Sequence, residues 1–334
     1  MKYIPIFRLK SIENSILSNE LKNDKKIIPL VEVTDEDIFY NSISNLCNKY
    51  DNPLVELPLY LALRPNKHQL GVTEIIDKYS TSDDPQISFY NEYKKSPYYH
   101  VGKDEIPDLK YIPVLSSVPS DITYSNFIDR YNVLSKTFDS IGLRIFVYSI
   151  QITKPQSDNL KKITEILKDN DIILLDVLSY VNVEQQVNDN ISAMIKILNK
   201  KNMYILNLMD YDGINNIINL GPNLSTTMKI SGFGDFATMI RYEPSGSGGS
   251  TTKRIRFYNF NSNYLLNFQH DSSYSGAVRL LKQSVDWTQV KQSDHFLQCD
   301  YCQAVDNNTY NQNHVWWKRF RMVHYINSIL NNTF

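Results

Sequence analysis

Ile172-Ile-Leu-Leu-Asp176 is followed by an amphipathic stretch at 184–200 and then by Met203-Tyr-Ile-Leu-Asn-Leu-Met209, and this strand–helix–strand rhythm decides the fold class. Both runs are apolar at consecutive positions, the pattern of strands covered on two faces. The rhythm extends in both directions. Toward the N-terminus, strand-like runs at 3–9, 27–33, 54–59, 111–116 and 143–150 are each trailed by a helical pattern, at 12–21, 39–50, an ill-bounded connection, 124–138 and 158–168. A run at 172–178 and one at 203–209, with a shorter helix at 213–220, bring the strands to seven before Gly221.

An eighth strand at 233–241 then completes a TIM-barrel-like (β/α) barrel. An open doubly wound sheet would share much of this pattern. Consecutive β-α units at roughly 30-residue spacing, with no Gly-rich dinucleotide turn, favour closure. Gly232-Phe-Gly234-Asp235 sets two glycines where the chain either approaches another backbone closely or makes an ordinary turn. Pro244-Ser-Gly-Ser-Gly-Gly-Ser250 has linker composition. The chain therefore divides into a barrel at 1–243, a Gly/Ser-rich loop at 244–252, and an α+β extension at 253–334 that packs on or completes the barrel. The extension offers a strand at 254–260, a short helix at 275–285 and an aromatic-rich helix at 315–330.

With 334 residues, 42% of them hydrophobic, the chain needs neither disulfide nor metal to build a core. Thirty-five basic residues against 36 acidic ones exclude a global field for nucleic acid or an anionic membrane, so nucleic-acid binding is not indicated by net charge. No apolar run reaches the ~20 residues of a membrane span. No export signal is visible at the N-terminus, and three cysteines, an odd number, fit a reducing compartment, so a cytoplasmic protein is expected.

Barrel enzymes place their working groups at the carboxyl ends of the strands. Acids recur there: Glu32, Glu56, Asp176 and Asp210 each end or follow a strand run. Gathered at one mouth they would hold a divalent metal or serve as acid and base. The bland alternatives are helix caps and ion pairs with Arg8 or Lys10. At the first strand–helix junction Lys10 would hold a phosphate or carboxylate and Glu13 would cap the helix or orient Lys10, or the two form a solvated surface pair. Cys299-Asp-Tyr-Cys302 has the spacing of a zinc half-site, with His295, His314 and His324 in range. A second Cys-x-x-Cys is missing, and buried apolar cysteines are the commoner reading. The segment 316–325 interleaves cations with aromatics. Trp316, Phe320 and Val323 share a helical face that packs on the barrel, leaving Lys318, Arg319 and Arg321 toward solvent or a partner. A Walker loop, a Gly-x-Ser-x-Gly elbow and a His-Glu-x-x-His helix are all absent.

Four short motifs, taken in order, resemble the phage-type Beta protein family: Ile4-Pro-Ile-Phe-Arg-Leu-Lys10-x-x-Glu13, Ile28-Pro-Leu-Val-Glu-Val33, Leu174-Leu-Asp176 and Phe233-Gly-Asp-Phe-Ala237. The resemblance continues through 254–260, Trp317-Lys-Arg319 and His324. It implies signature positions at Lys10, Glu13, Glu32, Asp176, Asp235 and His324. It also implies a setting in phages and in bacterial loci with genes of phage-defence type. The chain departs from its relatives in the fifth strand, where they tend to carry an arginine and it has Tyr148-Ser-Ile-Gln151, and at Glu56, where they usually carry Asp.

Two functions follow as expectations. The first is a recognition or scaffold component of a phage–host conflict system, with a protein partner from the same defence locus or a phage component, bound through Glu13, Trp317, Arg319, Arg321 and His324. The second is a metal-dependent barrel hydrolase acting on a phosphorylated or nucleic-acid substrate, with Glu32, Glu56, Asp176 and Asp235 around a divalent metal and Lys10 on the phosphate. An enzyme would gather Lys10 and at least three carboxylates in one pocket. A binding module would leave them scattered or paired off. A third possibility is that the acids only hold the barrel together.

Overall fold

A computed structural model describes residues 2–62, 70–80, 84–94, 109–116, 123–147, 151–177, 185–199, 202–207, 230–237, 252–261 and 264–333. Eight parallel strands close a barrel in chain order: β1 (Lys2–Arg8), β2 (Leu30–Glu32), β3 (Leu54–Glu56), β4 (Ile112–Ser116), β5 (Gly142–Phe146), β6 (Ile172–Asp176), β7 (Met203–Leu206) and β8 (Gly232–Asp235). Each strand overlaps the run that its apolar residues predict; β1, β5 and β8 begin one residue earlier, and most strands are shorter. The shortening falls mostly at the carboxyl ends, where the chain leaves the sheet for the loops.

Helices surround the barrel: α1 (Ser11–Ser15, continuing into a π-helical turn, Ile16–Glu20), α2 (Glu36–Lys49), α3 (Leu59–Ala62), α4 (Leu70–Tyr79), α5 (Pro85–Lys94), α6 (Asn126–Leu134), α7 (Lys154–Ile166) and α8 (Gln185–Leu198). Local chemistry starts several of them. Asp35 accepts the amide of Ile38 at 3.0 Å ahead of α2, and Thr153 and Gln156 form a reciprocal capping box with proline in the first turn of α7. The helix expected at 213–220 and the 244–250 linker lie outside the described residues.

Closure depends on glycine. β8 pairs with β1 from Lys2↔Gly232 to Pro5↔Asp235. A Cβ on Gly232 would sit 1.8 Å from the carbonyl oxygen of Lys2, and one on Gly234 would sit 2.3 Å from that of Ile4. The two glycines therefore mark the close backbone approach, not a turn.

Side-chain alternation sorts the strands into two layers. Ile4, Ile6, Leu30, Leu54, Val114, Leu174 and Leu206 fill the interior, while Tyr3, Phe7, Val31, Val55, Leu143 and Ile205 face the helices. At the carboxyl ends the interior-facing positions become polar: Arg8, Glu32, Glu56, Ser116, Arg144 and Asp176. The barrel is thus apolar in its lower layers and charged at its mouth.

The extension does not complete the barrel, which closes by itself. It consists of an antiparallel hairpin, β9 (Lys253–Asn259) and β10 (Tyr264–His270), and helices α9 (Tyr274–Gln283), α10 (Val285–Lys291), α11 (Asp294–Gln298), α12 (Asp300–Asp306) and α13 (His314–Thr333). It has its own core of Phe257, Trp287, Phe296, Cys302 and Phe320. α13 belongs to both cores: its first half packs in the extension, and Met322, Tyr325, Ile326 and Ile329 pack on the barrel beside Tyr3 and Phe233. Among the described residues no helix is long and apolar enough to cross a membrane.

Candidate functional site

The charged mouth is built around one residue that the sequence reading passed over. Arg144, in the middle of β5 and fully buried, faces inward and is ion-paired with three carboxylates from three other strands. Its Nη1 donates to Glu32 Oε1 at 2.7 Å and to Glu56 Oε2, and its Nε donates to Asp176 Oδ2 at 2.7 Å. All three acids are themselves fully buried. The expectation that acids from several strands converge therefore holds for Glu32, Glu56 and Asp176. The fifth strand does carry an arginine, four residues before the Tyr148-Ser-Ile-Gln151 stretch where it was sought.

A second layer orients this cluster. Arg8, at the end of β1, reaches Glu32 Oε2 at 3.3 Å and lies over the Phe236 ring. The Tyr60 hydroxyl, from α3, donates to Glu32 Oε1, while its ring and that of Phe146, packed edge to face, lie beside the Arg144 guanidinium with centroids 5.1 and 5.8 Å away. Asn207 directly follows β7; its left-handed backbone (φ 61°) is one that asparagine tolerates, and its amide donates to Asp176 Oδ1 at 2.8 Å. Ser116 is held by Gln86 of α5, whose amide nitrogen donates to its hydroxyl at 3.0 Å.

Fully ionised, the cluster would set three carboxylates against two guanidinium groups and so bury one excess negative charge. Its titration reflects that imbalance. Burial raises the carboxyl of Glu32, but the charges of Arg144 and Arg8 and the Tyr60 hydrogen bond more than offset this and hold it below the usual carboxylate range. Glu56 goes the other way. Burial pushes it up to about 7, against the pull of Arg144 and with the help of the nearby Glu32 charge. The cluster therefore favours taking up a proton near neutral pH, and of its two coupled glutamates Glu56 is the one pushed toward the protonated form.

The remaining candidates lie elsewhere. Asp235 occupies an outward-facing position on β8, where it accepts hydrogen bonds from the hydroxyls of Tyr3 and Tyr325 and from the amide of Ala237, each at 2.7 Å. Strand parity separates it from the mouth, and it joins α13 to the β1–β8 seam. Burial raises its pKa against those three donors. Lys10 stands at the cap position of α1 without a side-chain capping bond and makes no ion pair with the buried acids among the described contacts. Glu13 pairs with Lys318 at 2.6 Å instead of orienting Lys10. Asp210 lies outside the described residues.

The aromatic helix is docked more fully than its pattern suggests. Trp317, Phe320 and His324 are buried, and Arg319 reaches Glu20 at 3.2 Å and the Ser15 hydroxyl at 3.1 Å. Lys318 and Arg319 thus face carboxylates of the first helical segment. Beside them a cavity of about 610 Å³ opens between that segment and the extension, lined by Glu20, Lys22, Tyr301, Trp316 and Arg319.

His324 belongs to a different constellation. With His295, Cys299 and Cys302 it forms a buried group whose donor atoms all lie within 4.8 Å of one another. His314, the third histidine in sequence range, is exposed at the start of α13 and stands outside it. Comparison of the chain with protein-family profiles, with characterised proteins and with solved structures finds no match.

Proposed function

We propose that this chain is a recognition or scaffold component of a phage–host conflict system, in which the barrel serves as a rigid frame. The observation that carries the reading is the occupancy of the mouth. A divalent-cation site presents carboxylate lone pairs to a gap with an exchangeable position. Here the space between Glu32, Glu56 and Asp176 is filled by the guanidinium of Arg144, and all four side chains are fully buried. Asp235, which a metal-dependent phosphate hydrolase would need beside them, faces outward to Tyr3 and Tyr325, and Lys10 makes no ion pair with these acids among the described contacts. The biological setting is supported by the ordered motifs from Ile4 to Ala237 that resemble the phage-type Beta proteins.

One observation favours a second reading. A carboxyl that titrates near 7 at the carboxyl end of a barrel is suited to acid–base work. Glu56→Gln separates the two, because the amide mimics the protonated form in shape and charge. The variant and wild type are compared by phage plaque counts in cells that carry the chain with its neighbouring genes, and by thermal midpoint. A scaffold keeps both values. A tenfold or greater loss of plaque restriction at unchanged midpoint would instead make the mouth a proton-transfer centre.

A further inference from the structure

Outside the barrel, the described cluster of His295, Cys299, Cys302 and His324 carries the strongest chemistry. We propose that these four side chains form a tetrahedral Zn²⁺ site that locks the extension into its fold.

The donor set is the first argument. Two thiols and two imidazoles are the ligand types that Zn²⁺ takes in closed structural sites, and two thiolates with two neutral imidazoles exactly balance its charge, so the assembled centre can be buried at no electrostatic penalty from net charge. The four residues are between 0 and 4% exposed, so the centre is closed to bulk solvent, and four protein donors fill a tetrahedral shell. The site is therefore structural.

Geometry is the second argument. A tetrahedral ion with bonds of about 2.0–2.1 Å to nitrogen and about 2.3 Å to sulfur spaces its ligand atoms about 3.3–3.8 Å apart. Measured from His324 Nδ1, the distances are 2.9 Å to His295 Nε2, 3.2 Å to Cys302 Sγ and 3.8 Å to Cys299 Sγ. Four donors converging on one point from α11, from α12 and its cap, and from α13 is an arrangement that apolar packing of two cysteines does not explain.

The surroundings fix the ligands as metal sites require. The Nε2 of His324 lies 2.8 Å from the carbonyl oxygen of Tyr258 on β9 and donates its proton there, which leaves Nδ1 as the inward lone pair. The ring packs nearly parallel to those of Phe257 and Phe320, with centroids 4.7 and 5.5 Å away. Nδ1 of His295 lies 3.3 Å from the side-chain amide nitrogen of Asn331, and its Nε2 faces the centre of the cluster. Cys299 caps α12 and accepts the amide of Cys302 at 3.4 Å, a contact that favours thiolate.

The test is metal analysis of the full chain, purified without a histidine tag and kept reduced. About one zinc per chain is expected. After chelation, Co²⁺ titration should give the visible bands of a tetrahedral, thiolate-ligated ion, saturating at one equivalent, and Zn²⁺ should bleach them. The thermal midpoint should fall on chelation and recover with one equivalent of Zn²⁺. Cys302→Ser should lose metal and bands, whereas Cys47→Ser, in α2, should keep both. The wild-type titration separates lost ligation from a variant that fails to fold. Reduced wild type that takes up neither Zn²⁺ nor Co²⁺, a Co²⁺ spectrum lacking thiolate bands, or a Cys299–Cys302 disulfide as the native state each overturns the proposal.

Discussion

Arg144 holds more of the mouth together than any other side chain described. Removing one member of a buried ionic cluster is far more damaging than replacing the whole cluster with neutral groups. Arg144→Met should therefore cost about 3–5 kcal/mol in chemical denaturation. Adding Glu32→Gln, Glu56→Gln and Asp176→Asn to it should recover much of that loss, because the excess charge goes with the guanidinium. Failure of the combined variant to recover would mean that hydrogen-bond geometry, not charge balance, decides the site. The proton on Glu56 gives an independent check. Its folded pKa of about 7 lies above the ordinary 4.5, so the folded state holds more protons than the unfolded state between those values, and stability falls as pH rises through that window. Glu32, held low, contributes with the opposite sign, its stabilisation being lost only in acid. Thermal midpoints of wild type should thus decline more steeply from pH 5 to pH 7.5 than those of Glu56→Gln. Parallel profiles would remove Glu56 as the proton carrier.

At the scale of elements, the strands were legible because a barrel strand is buried on both faces and reads as an uninterrupted apolar run, as Ile172 to Leu175 does. Gly232 and Gly234 were legible as a possible close approach, and the structure makes that approach the seam. Gly232→Ala should fail to close it: the added methyl meets backbone, which cannot rotate away, so the variant is expected in the insoluble fraction or with a broadened thermal transition. A sharp transition within a few degrees of wild type would show that β8 can shift. Glu32, Glu56 and Asp176 were readable because each ends its run. Arg144 was not, because its signal is parity: a cation among apolar neighbours, facing the same way as Phe146, declares a buried partner only once the register of β5 against β6 is known. Parity also misassigned Asp235, which ends its strand on the outer face. β10, α10, α11 and α12 left weak traces, since short elements that pack only on one another carry little periodicity. The His295–His324 contact joins residues 29 positions apart and has no local signature.

For the whole molecule, the extension and the barrel share α13. Residues of that helix cover Tyr3 and Phe233 on the β1–β8 seam, and the Asp235 carboxylate is satisfied in part from Tyr325. A chain ending at residue 243 would leave an apolar seam uncovered and a buried acid with one donor fewer. It is expected to aggregate or to lose near-ultraviolet circular dichroism while keeping helical signal. A well-folded, monomeric barrel from that truncation would show that the extension is an independent passenger.

The four-way contact at the barrel mouth also bears on how the chain reaches its native state. Arg144 is separated by 112 residues from Glu32 and by 88 from Glu56, so its partners arrive by long-range assembly of β2 and β3 against β5. Until β2, β3, β5 and β6 are all in register, one guanidinium and three acids must remain in water, and a half-built barrel that buried any of them alone would be penalised. Such a cluster acts as a checkpoint against partially closed intermediates: it rewards only the complete circle, and it makes the barrel's formation more nearly all-or-none than its stepwise chain of β-α units would suggest.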